Sequence, residues 1–106
     1  MVIEEAEEIL RHATHEANGT YTILRLGEHP GEDAVNNLKS ALRLIGRQFS
    51  GDCLIPRKVA LSCGIIMHFA SECMRNMAAS GASLSAISAV RTLEQEAFNT
   101  LAGDDT

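Results

Sequence analysis

The chain has 106 residues, enough to bury one hydrophobic core and too few for a second, so residues 1–106 are read as a single domain. Apolar residues at 45% and charged residues at 22% give the balance of a globular protein, and a net charge of −5 excludes the strongly basic footprint of a phosphate-binding surface. Aromatic residues are confined to Tyr21, Phe49, Phe69 and Phe98, so the core must be aliphatic with Ala and Met filling gaps, which suits an all-α fold.

The first residues carry Glu4, Glu5, Glu7 and Glu8, where a secretory signal would have a basic region followed by an apolar one. The longest apolar stretch, residues 59–70, is broken by Ser62 and His68 and is far shorter than the roughly 20 residues of a membrane span. A cytoplasmic protein with no membrane contact is expected. Cys53, Cys63 and Cys73 form an odd set without CxxC spacing, which fits neither a disulfide framework nor a zinc ribbon. Cys63 and Cys73 fall in an apolar helical segment and are expected in the core; Cys53, in the loop Ser50-Gly51-Asp52-Cys53, is expected to meet solvent. Charge is uneven: residues 1–19 carry −4, residues 83–106 carry −3, and the middle carries +2.

In chain order, Ile3, Ala6, Leu10, Ala13 and Ala17 fall at alternating steps of three and four, which predicts a surface helix stopped by Asn18-Gly19. Glu4, Glu5, Glu8, Arg11, His12 and His15 occupy its other face. Residues 20–26 read as an extended connector or a short helix, and residues 27–31 as a turn. A second helix is expected from about Asp33, with Val35, Leu38, Leu42, Ile45 and Phe49 on its buried stripe and residues 50–52 ending it. After Pro56, one helix is predicted over residues 57–80.

That helix has more apolar surface than one seam requires. One stripe is Val59, Cys63, Ile66, Ala70, Cys73 and Met77; beside it runs Ala60, Gly64, Met67, Ser71, Met74 and Ala78, and Leu61, Ile65 and Phe69 widen the arc. Only its ends read as solvated, so it should be covered on nearly all sides, which predicts a homodimer. The second stripe, mixing small residues with Met, is the candidate protein interface. Gly81 ends this helix, Ser83 caps the next, and Leu84, Ile87, Val90, Leu93, Ala97 and Leu101 are its expected buried face, before a frayed tail at 103–106. The fold class is a small bundle of about four helices.

Constellations able to carry chemistry are sparse. Glu8, His12, His15 and Glu16 have metal-ligand spacing on one helical face, but the order His-x-x-His-Glu matches neither zinc-protease pattern, and a solvated face is the expected reading. His68, with Cys63 and Glu72 near it in sequence, could serve as a base, yet no Gly-rich oxyanion or phosphate loop accompanies it. No catalytic residue, metal or cofactor is therefore assigned. Residues 77–93 echo a helix-turn-helix around Gly81, but Ser80 precedes the turn glycine and Arg91 alone offsets Glu94 and Glu96. Arg43, Arg47, Arg57 and Lys58 form the single basic edge, which an acidic partner surface could use.

The run Pro30-Gly31-Glu32-Asp33-Ala34 leading into a Leu-rich helix, and Arg57-Lys58-Val59-Ala60-Leu61 leading into Met67-His68-Phe69-Ala70, resemble the small helical anti-activators of bacterial quorum sensing of the QslA type. The likeness lies in the order and length of the whole chain rather than in a short signature. It implies a homodimeric α-helical protein that binds the ligand-binding domain of a LuxR-type transcription factor and keeps it from DNA. A small DNA-binding helix-turn-helix protein and a metal-binding helical protein stay open as alternatives.

Overall fold

The computed structural model describes residues 1–51 and 54–103, so Cys53 and the tail beyond Gly103 lie outside the described residues. Its helices are α1 (Ile3–His15), α2 (Thr20–Arg25), α3 (Glu32–Gln48), α4 (Arg57–Ser80) and α5 (Leu84–Ala102). The four long ones form the expected small all-α bundle, with no strand among the described residues. No described helix is long and apolar enough to cross a membrane.

α1 buries Ala6, Leu10, Ala13 and Thr14, but it stops at His15, short of the predicted Asn18-Gly19 stop, and Ala17 is exposed. The reason lies in Gly19. The Glu16 N–H donates to the His12 carbonyl at 3.2 Å and the Gly19 N–H to the Glu16 carbonyl at 3.0 Å, folding the chain back onto the end of α1. A Cβ on Gly19 would lie 2.2 Å from the His12 carbonyl oxygen, whereas its φ of −70° is open to any residue. Glycine is needed here for close approach rather than for a left-handed turn.

The segment 20–26, open between extended chain and helix in the sequence, contains α2, which buries Tyr21 and Leu24. Gly27, at φ 85°, ends it: the Gly27 N–H donates to Leu24 and the Glu28 N–H to Ile23, the paired bonds of a Schellman motif. α3 buries the predicted Val35, Leu38, Leu42 and Ile45, and adds Ala41 and Gly46, while Phe49 at its end is half-buried. α4 buries the predicted stripe Val59, Cys63, Ile66, Ala70, Cys73 and Met77, together with Ser62. Its composition predicts cover on nearly all sides with only the ends solvated, but in the folded chain Leu61, His68, Ser71, Glu72 and Arg75 are exposed along its middle. A second Schellman motif at Gly81 closes it, with Gly81 N–H on Ala78 and Ala82 N–H on Met77.

Ser83 caps α5, its hydroxyl accepting from the Ala86 N–H at 3.2 Å. The buried face of α5 is Ala86, Ala89, Val90, Leu93, Ala97 and Thr100, rotated from the expected one. Leu84 and Leu101 are exposed and Ile87 is half-buried. Small residues face α3 so that the two backbones can approach: the Thr100 hydroxyl donates to the Leu42 carbonyl at 3.0 Å, and Gly46 lies against Thr100.

Contacts far apart in sequence define the topology. Ser85 meets Glu32, Arg43 meets Glu96, and Ser50 meets Gly103, each pair 53 residues apart, so α3 and α5 run side by side in the same direction. Likewise Thr14 meets Ser62, Tyr21 meets Ile66, Arg25 meets Phe69 and Gly27 meets Ser80, so α1 and α2 together run alongside α4. The chain is therefore two antiparallel helical hairpins, α1/α2 with α3 and α4 with α5, laid against each other in the same sense. The 24 residues of α4, about 36 Å of helix, set the length of a molecule measuring 41 × 21 × 21 Å.

Candidate functional site

The histidine-carboxylate face of α1 is organised by Arg11. Its guanidinium donates to Glu8 through Nη2 at 2.7 Å and Nε at 2.9 Å, and to Glu16 through Nη1 at 2.9 Å. This hydrogen bonding holds the Glu8 carboxyl below the usual carboxylate range. Both carboxylates are thus occupied, His12 points to solvent, and His15 turns toward Ser62. Among the described residues no three His, Cys, Asp or Glu side chains are gathered as a metal-ligand set.

The fold creates two serine-histidine contacts that lie far apart in sequence. At the first, His15 Nε2 is 3.5 Å from Ser62 Oγ, Ser62 Oγ is 3.1 Å from Thr14 Oγ1, and Thr14 Oγ1 lies 2.9 Å from the Leu10 carbonyl. The Thr14 hydroxyl is within donating distance of both the Leu10 carbonyl and Ser62 Oγ, and the role of His15 Nε2 toward Ser62 follows its tautomer. At the second, the Gly31 N–H donates to His29 Nδ1 at 2.9 Å, which leaves the ring proton on Nε2, the atom facing Ser85 Oγ at 3.5 Å. There the imidazole meets Ser85 with its donor nitrogen and the Ser85 hydroxyl donates to the Glu32 carboxylate at 3.4 Å; at 3.5 Å neither histidine lies in the close hydrogen-bond range of general-base catalysis.

His68, placed by sequence on the most apolar helix, is exposed on the outer side of α4 and packs edge-to-face on Phe69, with centroids 4.7 Å apart. Cys63 faces the opposite way, fully buried, and burial pushes its thiol up to about 12. The candidate base and nucleophile therefore occupy different sides of the helix. The basic edge is interleaved with carboxylates: Arg43 pairs with Glu96 at 2.8 Å, and Lys58 shares a cleft with Glu4, Glu7 and Glu8. The segment 77–93 is not a helix-turn-helix crossing at roughly 90–120°, because α5 folds back along α4 as the second arm of a hairpin.

Several exposed apolar side chains lie on the outside of that hairpin, while Leu26 and Leu54 are exposed elsewhere. Of the candidate interface stripe, Met67 and Met74 are half-buried and pack on the core from outside; Ala60 and Gly64 are half-exposed, and Ser71 and Ala78 are exposed. A Cβ on Gly64 would meet nothing within 4 Å. At 100° per residue this stripe lies on the flank of α4 nearest α5, and the matching flank of α5 carries Ile87, Phe98 and Leu101. Phe98 is 53% exposed, and Leu61, at the rim on α4, is 57% exposed. Phe98 was missed by the three-four spacing that selects buried positions. Its own spacing of three turns from Ile87 marks the outer stripe.

The outer face of the other hairpin is different. Its exposed residues include Glu4, Glu5, Glu8, His12 and His15 on α1 and Glu32, Asp33, Asn36, Asn37, Ser40, Arg43, Arg47 and Gln48 on α3, with no large apolar side chain among them. Comparison of the chain with protein-family models, curated proteins and solved structures finds no match.

Proposed function

We propose that this chain is a regulatory protein-protein interaction module that forms a homodimer and acts as an anti-activator, binding a LuxR-type quorum-sensing transcription factor in the cytoplasm and keeping it from DNA. The observation that carries the interaction reading is the asymmetry between the two hairpins: the exposed residues of α1 and α3 include no large apolar side chain, whereas α4 and α5 expose Leu61, Phe98 and Leu101 beside the half-buried Met67 and Met74. Small residues at Ala60, Gly64 and Ser71 let another helix approach closely, and Met repacks against what arrives. The class of partner comes from the resemblance in residues 30–34, 57–61 and 67–70.

The test is a pair of variants, Met67→Asp and Met74→Asp. Each places a carboxylate where an apolar partner would cover it, and truncation of a central interface side chain typically costs about 1–3 kcal/mol of binding. Both side chains are only half-buried, so circular dichroism should show a retained fold. Sedimentation equilibrium at micromolar concentration should give dimer for the parent and monomer for the variants, with release of a quorum-sensing reporter in cells. Folded, dimeric, fully repressing variants would refute the assignment of this face.

A further inference from the structure

We propose that the edge between α2 and α4 is a second binding site, distinct from the α4/α5 face, that takes a carboxylate-bearing residue flanked by an apolar side chain from an extended segment of a protein partner. The proposal rests on the interaction-module reading but on neither the homodimer nor the identity of the transcription factor. The site is a groove of about 320 Å³ bordered by Arg25, Leu26, Phe69, Glu72 and Asn76, with the buried Cys73 beneath.

Its centre is the Arg25 guanidinium, which lies over the Phe69 ring at 3.7 Å. Phe69 is held in turn by the edge of His68. Stacking fixes the plane of the guanidinium while leaving its N–H edge free, and that edge is the geometry that accepts a carboxylate in two parallel hydrogen bonds. No carboxylate among the described residues takes it: the ion pairs found belong to Arg11 and Arg43, and Glu72, on the same groove wall, makes none with Arg25. An exposed arginine pre-ordered on an aromatic ring, with its N–H edge unclaimed by any described carboxylate, presents that edge to an anion from outside the chain.

Two further features select a peptide over a free anion. Leu26 projects beside the groove at 72% exposure, an apolar contact that inorganic anions cannot use. Asn76 and Glu72 border the other side and offer acceptors for main-chain N–H groups, so the groove is arranged for a segment carrying both charge and backbone. Phe69 lies on the flank of α4 that faces α2 and its Arg25, opposite the flank carrying Met67 and Met74, and substitutions at the two places are separable.

The experiment is an amide-proton NMR titration of the full chain with acetyl-Leu-Glu-Leu-amide and, in parallel, acetyl-Leu-Gln-Leu-amide. The Glu peptide should shift the Leu26, Phe69, Cys73 and Asn76 amides saturably at millimolar concentration, and the Gln peptide should bind roughly tenfold more weakly because it loses the charge-assisted pair. Arg25→Ala, an exposed substitution that leaves the core intact, should abolish the shifts, and Arg25→Lys should retain only part of the affinity. Met67→Asp should leave the titration unchanged whether or not it disrupts a dimer. Absence of saturable shifts at this edge, equal binding of the two peptides, or undiminished binding by Arg25→Ala would each overturn the proposal.

Discussion

The two hairpins have similar lengths and opposite outsides. The first, α1/α2 with α3, is pinned to α4 by specific polar latches: Thr14 on Ser62, and the Tyr21 hydroxyl donating to the Ile66 carbonyl at 2.7 Å. The exposed residues of α1 and α3 include no large apolar side chain. The second, α4 with α5, buries an aliphatic stripe inward and leaves another apolar stripe outward. Where a helix flank is covered by the chain itself, position is set by hydrogen bonds and close backbone approach; where it is not, small residues and methionine are left for a contact that adapts.

Four perturbations sharpen that contrast. The largest effect of a single substitution is expected from Gly19→Ala in the first hairpin, because the new Cβ would meet the backbone of α1 at 2.2 Å, and backbone cannot yield as a flexible side chain would. A loss of about 3 kcal/mol in urea unfolding is expected, as for severe overpacking. A change within error would show that the α1–α2 joint is looser than described.

Alkaline pH should weaken the shared core. The Cys63 thiol is raised from 9.0 to about 12 by burial, and the Cys73 thiol and the Tyr21 hydroxyl are shifted in the same direction, also chiefly by burial. Between those values the folded chain keeps a proton that the unfolded chain releases, so stability is complete below about pH 9 and falls as pH rises toward 12. The slope is about 1.4 kcal/mol per pH unit for one such group. Cys63→Ala should flatten the slope, which denaturant midpoints measured at intervals across this range would show.

Tyr21→Phe should cost about 1 kcal/mol by removing the buried hydrogen bond to the Ile66 carbonyl and the weak one from the Cys73 thiol while leaving the ring in place. The counterpart in the second hairpin is Gly64→Ala. It places a methyl in open space on a helix interior, so the isolated protomer should gain about 0.5–1 kcal/mol from helix propensity. If the α4/α5 face packs closely on another helix, the same methyl should weaken self-association in sedimentation. Stabilisation with unchanged association would place the close approach elsewhere on α4.

Periodicity made the inward faces of α3 and α4 readable, because Val35, Leu38, Leu42 and Ile45, and Val59, Cys63, Ile66, Ala70, Cys73 and Met77, are large apolar residues at helical spacing. It failed on α5, where the choice between Leu84 and Leu101 on one side and Ala86, Ala89 and Thr100 on the other depends on how closely α3 approaches, a property of two helices together. Gly19 looked like a helix stop because close approach and left-handed conformation both select glycine. The Arg25–Phe69 stack and the His29–Ser85 contact join residues distant in sequence and have no local signature. The outer stripe from Ala60 to Ala78 was visible as surplus apolar surface, but its extension to Phe98 depends on the hairpin that sets α5 beside α4.

Two hairpins stacked in the same sense amount to a short segment of a one-dimensional array, the arrangement from which helical repeat proteins are built, in which each end must present a polar face to terminate growth. The constant 53-residue offset between α3 and α5 is the register of that stacking. On the proposed dimer reading, the α1/α3 side is a terminus and the α4/α5 side is not. Adding a copy by simple translation would set a polar face on an apolar one and leave a fresh apolar end, an assembly that never closes. Adding it about a two-fold axis joins the two unterminated ends and turns both polar termini outward, so growth stops at two.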